Sequence, residues 1–381
     1  MLRYRLHAPG PTPVPERVLT RMAQPILHHR TPAFSQIFKE VEEGLKWLYQ
    51  TANDVIILSS SGTGAMEAAV VNLVAPGDKV LFINGGKFGE RWGKICKAYG
   101  IEATEITVPW GEAVNPKVVA DALSSGDYRL VCGTASETST GVSHPIAEIG
   151  KIVSQHPETY FVVDAITALG VYPISMEHDH IDILVTGSQK ALMLPPGLAF
   201  AGVSERAWKR METVKSPKFY FNFLTERKNL KKDTTAWTPA VSLINGLHEV
   251  LLMMKEEGLE GIYKRHALMA EATREAAKGF GLRLYAPEHP STAVSAIYAP
   301  EGVDSKKLVK LLRDGYNITI AGGQDEAEGK IFRIGHLGYY DIFDILTVWS
   351  AVELALKDLG YDYPLGKGTT RLMEVIHGRI A

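Results

Sequence analysis

The stretch Ile181-Asp-Ile-Leu-Val-Thr-Gly-Ser-Gln-Lys190-Ala-Leu-Met-Leu-Pro-Pro-Gly197 places a lysine soon after an apolar run. The run over residues 181–185 has the length and composition of a buried β-strand, and the prolines and glycine that follow Lys190 indicate a turn. Both sides of Lys190 are apolar, which is a poor setting for an ammonium group without a role. An amine whose pKa is depressed by such a setting is a nucleophile for carbonyl compounds.

Outward from this stretch, short apolar runs alternate with segments of helical periodicity. Further strands are predicted over Val55–Leu58, Lys79–Ile83, Arg129–Cys132 and Tyr160–Val163. Helices are predicted over Phe34–Leu48, from about Gly64, over Gly89–Tyr99 and over Val241–Glu257. Strands that alternate with helices predict an α/β fold with a mostly parallel, doubly wound sheet.

The 381 residues are enough for two domains of roughly 150 residues each. Residues 1–20 begin with a proline-rich segment, which predicts an extended N-terminal arm. Residues 21–258 are predicted to form a large domain that is interrupted by an irregular, basic stretch over Ser216–Asp233. Residues 259–381 are predicted to form a smaller α+β domain with strands Ala293–Tyr298 and Ile331–Ile334, and its last long helix begins near Ile342.

Ligands of open α/β sheets bind outside the carboxyl ends of the strands, so the residues that follow each strand deserve inspection. The first predicted strand is followed by Ser59-Ser-Ser-Gly-Thr-Gly-Ala-Met-Glu67. Small residues at a helix N-terminus expose backbone N–H groups that bind anions, so the stretch is either a phosphate site or a simple tight turn. It lacks the third glycine of a dinucleotide fingerprint and the Gly-Lys-Ser/Thr of a Walker loop.

Later strands are followed by Thr138, by Asp164 and by the pair Gln189-Lys190. Taken singly, an aspartate in this position is usually a structural cap, and a lysine is usually a solvated charge. Together with an anion site they suggest one cofactor, because pyridoxal phosphate needs a lysine for its aldehyde, an acid for its ring nitrogen and an anion site for its phosphate.

The amino-acid composition of the chain limits the kinds of binding partner that we expect. Hydrophobic residues make up 45% of the chain and the formal net charge is −2, so nucleic acid is not an expected partner. Neither a signal peptide nor a membrane helix is predicted. The two cysteines, Cys96 and Cys132, cannot build a disulfide framework, which fits a reducing cytoplasm.

The chain resembles the alanine–glyoxylate and serine–glyoxylate (serine–pyruvate) aminotransferases, which are class-V aminotransferases with the type I fold of pyridoxal-phosphate enzymes. The resemblance runs nearly end to end, and its most specific part is Gly187-Ser-Gln-Lys-Ala191 with Pro195-Pro-Gly197. The other matching segments, in chain order, are Pro9-Gly-Pro11, Ser61-Gly-Thr-Gly-Ala-Met-Glu67, Asn84-Gly-Gly-Lys-Phe-Gly89, Glu137-Thr-Ser-Thr-Gly141, Val163-Asp164 and Arg333-Ile-Gly335.

The resemblance implies a role for each matching residue. Lys190 matches the Schiff-base lysine, Asp164 the partner of the pyridine nitrogen, and Arg333 the arginine that binds the substrate carboxylate. Further matches are Thr138 near the ring oxygen, Ser61, Gly62 and Thr63 in the phosphate turn, Gln189 as a phosphate contact, and Phe88 where the family often stacks a tryptophan on the ring.

The resemblance also implies a homodimer whose active sites borrow residues from the partner. Thr235 or Thr238 is expected to reach the neighbouring phosphate. In His28-His-Arg-Thr-Pro-Ala33, His29 stands where serine–glyoxylate enzymes have a tyrosine, and Arg30 matches the arginine that follows it. Arg30 is a candidate contact for a substrate hydroxyl or a second carboxylate, and the alternative is a surface arginine at the start of a helix.

The implied function is transfer of an amino group from a small amino acid, alanine or serine, to glyoxylate or pyruvate by a ping-pong mechanism. Alternatives are an aminotransferase that accepts aspartate, a lyase of the same fold, and a non-catalytic binding subunit. A cysteine desulfurase needs a reactive cysteine after the lysine, and no cysteine follows Cys132. The pairs His28-His29 and His178-Asp-His180 lack the helical spacing of zinc proteases, so no metal site is predicted.

Overall fold

The structure is a computed structural model and describes residues 2–380. Its strands are β1 (Arg5–Leu6), β2 (Asp54–Leu58), β3 (Lys79–Asn84), β4 (Glu102–Thr107), β5 (Leu130–Thr134), β6 (Ser136–Glu137), β7 (Val142–Ser143), β8 (Tyr160–Asp164), β9 (Ile183–Gly187), β10 (Ala199–Val203), β11 (Val294–Tyr298), β12 (Ile318–Thr319), β13 (Ala321–Gly322) and β14 (Ile331–Gly335).

The α-helices are α1 (Glu16–Met22), α2 (Pro32–Tyr49), α3 (Gly62–Leu73), α4 (Gly89–Ala98), α5 (Pro116–Ser125), α6 (Ile146–Val153), α7 (Glu205–Met211), α8 (Phe223–Leu230), α9 (Val241–Glu257), α10 (Leu259–Gly279), α11 (Ser305–Tyr316), α12 (Ile342–Asp358) and α13 (Lys367–Ile380). A 3-10 helix spans Asp325–Ala327.

A seven-stranded sheet lies at the centre of the first part of the chain, in the order β2-β10-β9-β8-β5-β3-β4. The pairs β3–β4, β3–β5, β5–β8 and β8–β9 are parallel, whereas β10 runs antiparallel to both β2 and β9. Strands β5, β8 and β9 are buried along their whole length, as expected for parallel strands covered by helices on both faces. The prediction of a mainly parallel α/β sheet is confirmed.

Several predicted elements have the predicted position. Helix α9 begins and ends as predicted, and β2, β3, β8 and β11 differ from their predictions by one residue at one end. Strands β4 and β10 were not predicted. Strand β4 lies at the sheet edge with largely exposed polar residues, so it lacks an apolar run. Strand β10 begins two residues after Gly197, so its five residues are difficult to distinguish in the sequence from the turn that follows Lys190.

Three segments differ from the predictions. The predicted arm over residues 1–20 includes the first five residues of α1, which begins at Glu16, directly after the last proline of the segment, and ends at Met22. The stretch expected to be irregular contains α8, which the side chain of Asn222 caps by accepting from Thr225 N. Helix α12 is not the last helix, because α13 follows it and packs against α10.

The buried hydrophobic residues form two main clusters. The larger cluster includes residues from Val18 to Ile262 and surrounds the seven-stranded sheet. The smaller one includes residues from Met269 to Leu372 and packs around β14 and α12. Because α10 contributes to both clusters, they do not fix the boundary between residues 258 and 259, which stays a prediction. Within residues 2–380 no helix has the length and hydropathy needed to cross a membrane.

The N-terminal arm connects the two clusters. Strand β1 pairs in parallel with β12, and Gly335 N donates to the His7 carbonyl at 2.8 Å. Further along, the side chain of Thr12 donates to the carbonyl of Lys190 at 2.9 Å. The arm therefore runs from the small sheet to the turn that carries the lysine.

Candidate active site

A cavity of about 310 Å³ opens at the edge of the sheet where β5, β8 and β9 end. Residues from the arm, the turn before α3, the start of α4 and the ends of these strands line it. They are Gly10, Pro11, Ser61, Gly62, Thr63, Phe88, Arg91, Ser136, Thr138, Asp164, Ile166, Thr167, Gln189, Lys190 and Pro196. The structure thus brings together the predicted lysine, acid and anion-binding turn.

Lys190 is buried in this cavity, and its Nζ donates to the carbonyl of Pro9 at 2.5 Å. The turn that carries it is closed by Ser188, whose hydroxyl donates to the Pro195 carbonyl at 2.8 Å and accepts from Leu198 N at 3.2 Å. Burial lowers the pKa of Lys190 to about 8. A larger fraction of this amine is therefore unprotonated and nucleophilic at neutral pH than of a solvated lysine.

Asp164 is the last residue of β8 and pairs in register with Thr134 on one side and Val185 on the other. Its Oδ1 accepts from Ile166 N at 2.8 Å. Burial raises the pKa of this carboxyl to about 7. A cation next to Asp164, such as a protonated ring nitrogen, would stabilise its ionised form.

The turn before α3 has the features of an anion site. Ser61 is the N-cap residue of α3 but makes no side-chain cap hydrogen bond. A Cβ on Gly62 would lie 2.3 Å from Cδ1 of Ile166, so this position has room only for glycine unless Ile166 moves. Across the cavity, Oε1 of Gln189 is buried without a hydrogen-bond partner among the described residues. A buried polar atom without a partner is unfavourable and is best explained by a missing ligand or water.

Thr138 connects the cavity to the predicted substrate arginine. Its hydroxyl donates to Oγ1 of Thr167 at 2.8 Å, and its carbonyl accepts from Nη1 of Arg333 at 2.8 Å. Arg333 Nε donates to the carbonyl of Gly322 at 2.9 Å, so two backbone carbonyls fix the guanidinium. Arg333 itself does not line the cavity but reaches its wall through Thr138, and burial lowers its pKa to about 10.

Glu137 is a buried carboxylate to which the sequence motif gave no role. Its Oε2 accepts from Phe88 N at 3.1 Å and from Gly89 N at 2.9 Å, at the start of α4. Its Oε1 accepts from the backbone N–H of Ser139 at 3.1 Å and from the hydroxyl of the same residue at 2.5 Å. Glu137 therefore fixes the position of Phe88, whose ring lines the cavity.

The structure does not bring His29, Arg30, Thr235 or Thr238 to this cavity. Arg30 is exposed just before α2, and its backbone N–H donates to Nδ1 of His28 at 3.2 Å. The hydroxyl of Thr235 donates to the carbonyl of Trp237 at 2.5 Å, and Thr238 is exposed. Since these residues were expected to act in a partner's site, their roles stay predictions.

The residues of the cavity fit pyridoxal phosphate. Gln189, whose Oε1 has no partner, lines the same cavity as a helix N-terminus suited to phosphate, and the buried amine of Lys190 has the lowered pKa that suits reaction with an aldehyde. Asp164 is a carboxyl that would pair with the ring nitrogen of this cofactor. Over residues 2–380, no group of three or more His, Cys, Asp or Glu side chains is arranged to hold a metal ion.

Comparison with known proteins assigns the family. Residues 5–337 match the family model described as "Aminotransferase class-V". The chain belongs to the class-V aminotransferases. This membership confirms the predicted family, the type I fold and the dependence of such enzymes on pyridoxal phosphate.

Relatives of this class-V aminotransferase carry different names. It is 43% identical to "Soluble hydrogenase, small subunit" of Synechococcus sp., over 97% of this chain and 98% of that protein. It is 36% identical to the L-aspartate–glyoxylate aminotransferase of Paracoccus denitrificans (96% and 94% covered) and 34% identical to the serine–glyoxylate aminotransferase of Methylorubrum extorquens (96% and 94% covered).

Solved structures agree with the assignment of the fold. The crystal structure of pyridoxamine–pyruvate aminotransferase from Mesorhizobium loti is 32% identical, with a TM-score of 0.94 over 99% of this chain and 98% of that chain. The aminotransferase fold is thus matched over nearly the whole length, from the N-terminal arm to the last helices.

Proposed function

We propose that this class-V aminotransferase moves the amino group of a small amino acid, alanine or serine, to glyoxylate or pyruvate in a ping-pong reaction. The observation that carries the proposal is the cavity that Lys190 and Asp164 both line, with Arg333 bonded to its wall at Thr138. Transamination needs these three charged groups, because one moves a proton, one sets the charge of the ring and one binds the substrate carboxylate.

Each residue has a defined task in this proposal. When bound, pyridoxal phosphate supplies an aldehyde that takes up the amino group and a ring that accepts electrons. Arg333 binds the carboxylate of the amino acid through two parallel hydrogen bonds, a geometry that suits a guanidinium. The Lys190 amine, once free, moves the α-proton as a general base. Asp164 keeps the ring nitrogen protonated, which in turn favours its own ionised form.

The remaining cavity residues hold the cofactor. We assign the phosphate to Ser61, Gly62, Thr63 and Gln189, because the N–H groups at the start of α3 point to an anion there. We assign the face of the ring to Phe88, which lines the cavity and is fixed by Glu137. Thr138 is assigned to the ring oxygen.

The donor is the least constrained part of the proposal. The names of the relatives support both a serine donor and an aspartate donor. Aspartate requires a second cation for its side-chain carboxylate, and Arg30 is the candidate. Arg30 and His29 meet the cavity of another subunit only in a homodimer with shared active sites, which we propose together with a cytoplasmic location. Thr235 or Thr238 then contacts the phosphate of the partner's cofactor.

Half-reaction spectroscopy tests the function. The cofactor-loaded protein is mixed with alanine, serine or aspartate, and conversion to the amine form of the cofactor is followed by absorbance. We expect conversion with at least one of them and its reversal by glyoxylate or pyruvate. Lys190→Ala is expected to abolish turnover, whereas Lys264→Ala, on an exposed face of α10, is the matched control. Full turnover by Lys190→Ala, or no cofactor absorbance in the wild type, contradicts the proposal.

A further inference from the structure

Arg91 is a cation at the cavity that neither the sequence motifs nor the roles assigned above explain. It lies at the third residue of α4, and its half-buried side chain lines the same cavity as Lys190 and Asp164. The guanidinium of Arg206 on α7, by contrast, forms an ion pair with the carboxylate of Asp182. The groups that surround the guanidinium of Arg91 therefore indicate which kind of ligand it binds.

Two cavity residues contact the guanidinium of Arg91. Its Nη1 donates to Oγ1 of Thr63 at 3.0 Å, in the turn assigned to the phosphate. Its Cζ lies 4.8 Å from the centre of the Phe88 ring, over the ring face. The guanidinium is thus held between the anion-binding turn and the aromatic residue at the cofactor, with further N–H groups in its fork.

The charge of Arg91 has no carboxylate partner within 4.0 Å among residues 2–380. Its neighbour Glu90 pairs instead with Lys94 at 2.7 Å and with Lys87 at 3.4 Å. Burial raises the pKa of Asp164 and lowers that of Lys190, and the positive charge of Arg91 opposes the first shift and adds to the second. The cavity therefore carries a positive charge that an anionic ligand would neutralise.

We propose that Arg91 binds the phosphate of the cofactor and thereby makes this cavity selective for pyridoxal phosphate over unphosphorylated pyridoxal. The inference rests on the proposed function, because it places pyridoxal phosphate in this cavity. A planar guanidinium presents paired N–H groups that match two oxygens of a phosphate. The aromatic face of Phe88 and the hydroxyl of Thr63 hold that plane in place.

Binding of two ligands to the cofactor-free protein tests the inference. Dissociation constants for pyridoxal phosphate and for pyridoxal are measured by tryptophan fluorescence on the wild type and on Arg91→Gln. Both ligands carry the same aldehyde and ring, so only the phosphate differs. We expect Arg91→Gln to weaken pyridoxal phosphate roughly 10- to 100-fold, as the loss of a charge-assisted hydrogen bond does, and pyridoxal by less than about twofold.

Arg283→Gln is the matched control, since Arg283 also lies over an aromatic ring, 5.2 Å from the centre of Tyr298, but outside the cavity. It is expected to change neither constant. Arg91→Lys keeps the charge without the planar fork, so its loss for pyridoxal phosphate should fall between those of the wild type and Arg91→Gln. It also serves as the test if Arg91→Gln does not fold.

Four outcomes would overturn the inference. If Arg91→Gln loses affinity equally for both ligands, Arg91 acts only through Phe88. If it loses affinity for neither ligand, Arg91 does not contact the cofactor. A wild type that binds neither ligand refutes the proposed function itself, and the inference with it. Loss of pyridoxal phosphate binding in Lys190→Ala but not in Arg91→Gln leaves the function standing and removes only the role of Arg91.

Discussion

Gly10 offers a sharp test of how the arm positions Lys190. Its φ is +139°, and a Cβ at this position would lie 2.4 Å from Nζ of Lys190 and 2.6 Å from its Cε. No real Cβ contact is that short, so Gly10→Ala must displace the lysine from its hydrogen bond to the Pro9 carbonyl. The same change at Gly77, which has φ +90° and no neighbouring atom within 4 Å, alters the backbone without crowding anything.

The two substitutions should differ in free energy of unfolding. Either one places a side chain at a positive φ, which costs about 1–3 kcal/mol. Gly10→Ala additionally loses the buried hydrogen bond of the lysine, which is worth about 1.5–3 kcal/mol if the amine is charged. We therefore expect Gly10→Ala to lower the free energy of unfolding by about 2.5–6 kcal/mol, and Gly77→Ala by about 1–3 kcal/mol, in urea titrations of the cofactor-free protein.

The reactivity of the lysine gives the decisive measurement. Cofactor-free protein is mixed with pyridoxal phosphate, and the rate at which the lysine-bound absorbance appears is recorded. A displacement that costs about 1.4 kcal/mol in the transition state slows the reaction tenfold, so Gly10→Ala should react at least about tenfold more slowly. Gly77→Ala should react like the wild type. An unchanged rate in Gly10→Ala refutes the idea that the arm holds Lys190 in its reactive position.

Four further predictions follow from the same contacts. Because only the unprotonated amine reacts, the rate of cofactor uptake should rise with pH around a midpoint near 8, the lowered pKa of Lys190; a midpoint near the ordinary value of about 10.4 contradicts this. Arg333→Lys should raise KM for the amino acid roughly 10- to 100-fold with an unchanged cofactor spectrum, since lysine cannot form the paired hydrogen bonds. Glu137→Gln should lower the free energy of unfolding by about 1–3 kcal/mol in urea, because its amide N–H₂ deprives at least one buried donor of an acceptor; less than about 0.5 kcal/mol argues against it. Arg30→Ala should reduce turnover with aspartate at least about tenfold and leave alanine turnover unchanged, and an equal fall with both donors excludes Arg30 as a contact for the second carboxylate.

The centre of the site was predictable from sequence because of sheet geometry. Parallel strands end at the same edge, so Asp164 at the end of β8 and Lys190 after β9 had to lie near each other once both strands were recognised. The strands were recognisable because both faces of the sheet are covered, which makes each strand a continuous apolar run.

Other parts of the site cannot be predicted from the geometry of the sheet. The contact between Pro9 and Lys190 joins residues 181 positions apart, and no periodicity in the arm points to it. Arg91 lies on an amphipathic helix, next to Glu90 and three residues before Lys94, where a basic residue ordinarily faces solvent. Only its position over Phe88 and beside Thr63 separates it from a surface charge.

Thr138 shows a further limit of prediction from sequence, which concerns contacts made by backbone groups. The motif gave this residue a role through its hydroxyl, yet its carbonyl is what Arg333 binds. Every residue type has the same backbone carbonyl, and only the conformation of the chain decides where that carbonyl points. No pattern of side chains can therefore encode this contact. Since the carbonyl is held in place by the neighbouring bonds of Glu137, removing the Thr138 hydroxyl leaves the acceptor of Arg333 intact. The contact proposed for the Thr138 hydroxyl and the bond of its carbonyl to Arg333 are therefore separable by mutation, although one residue provides both groups.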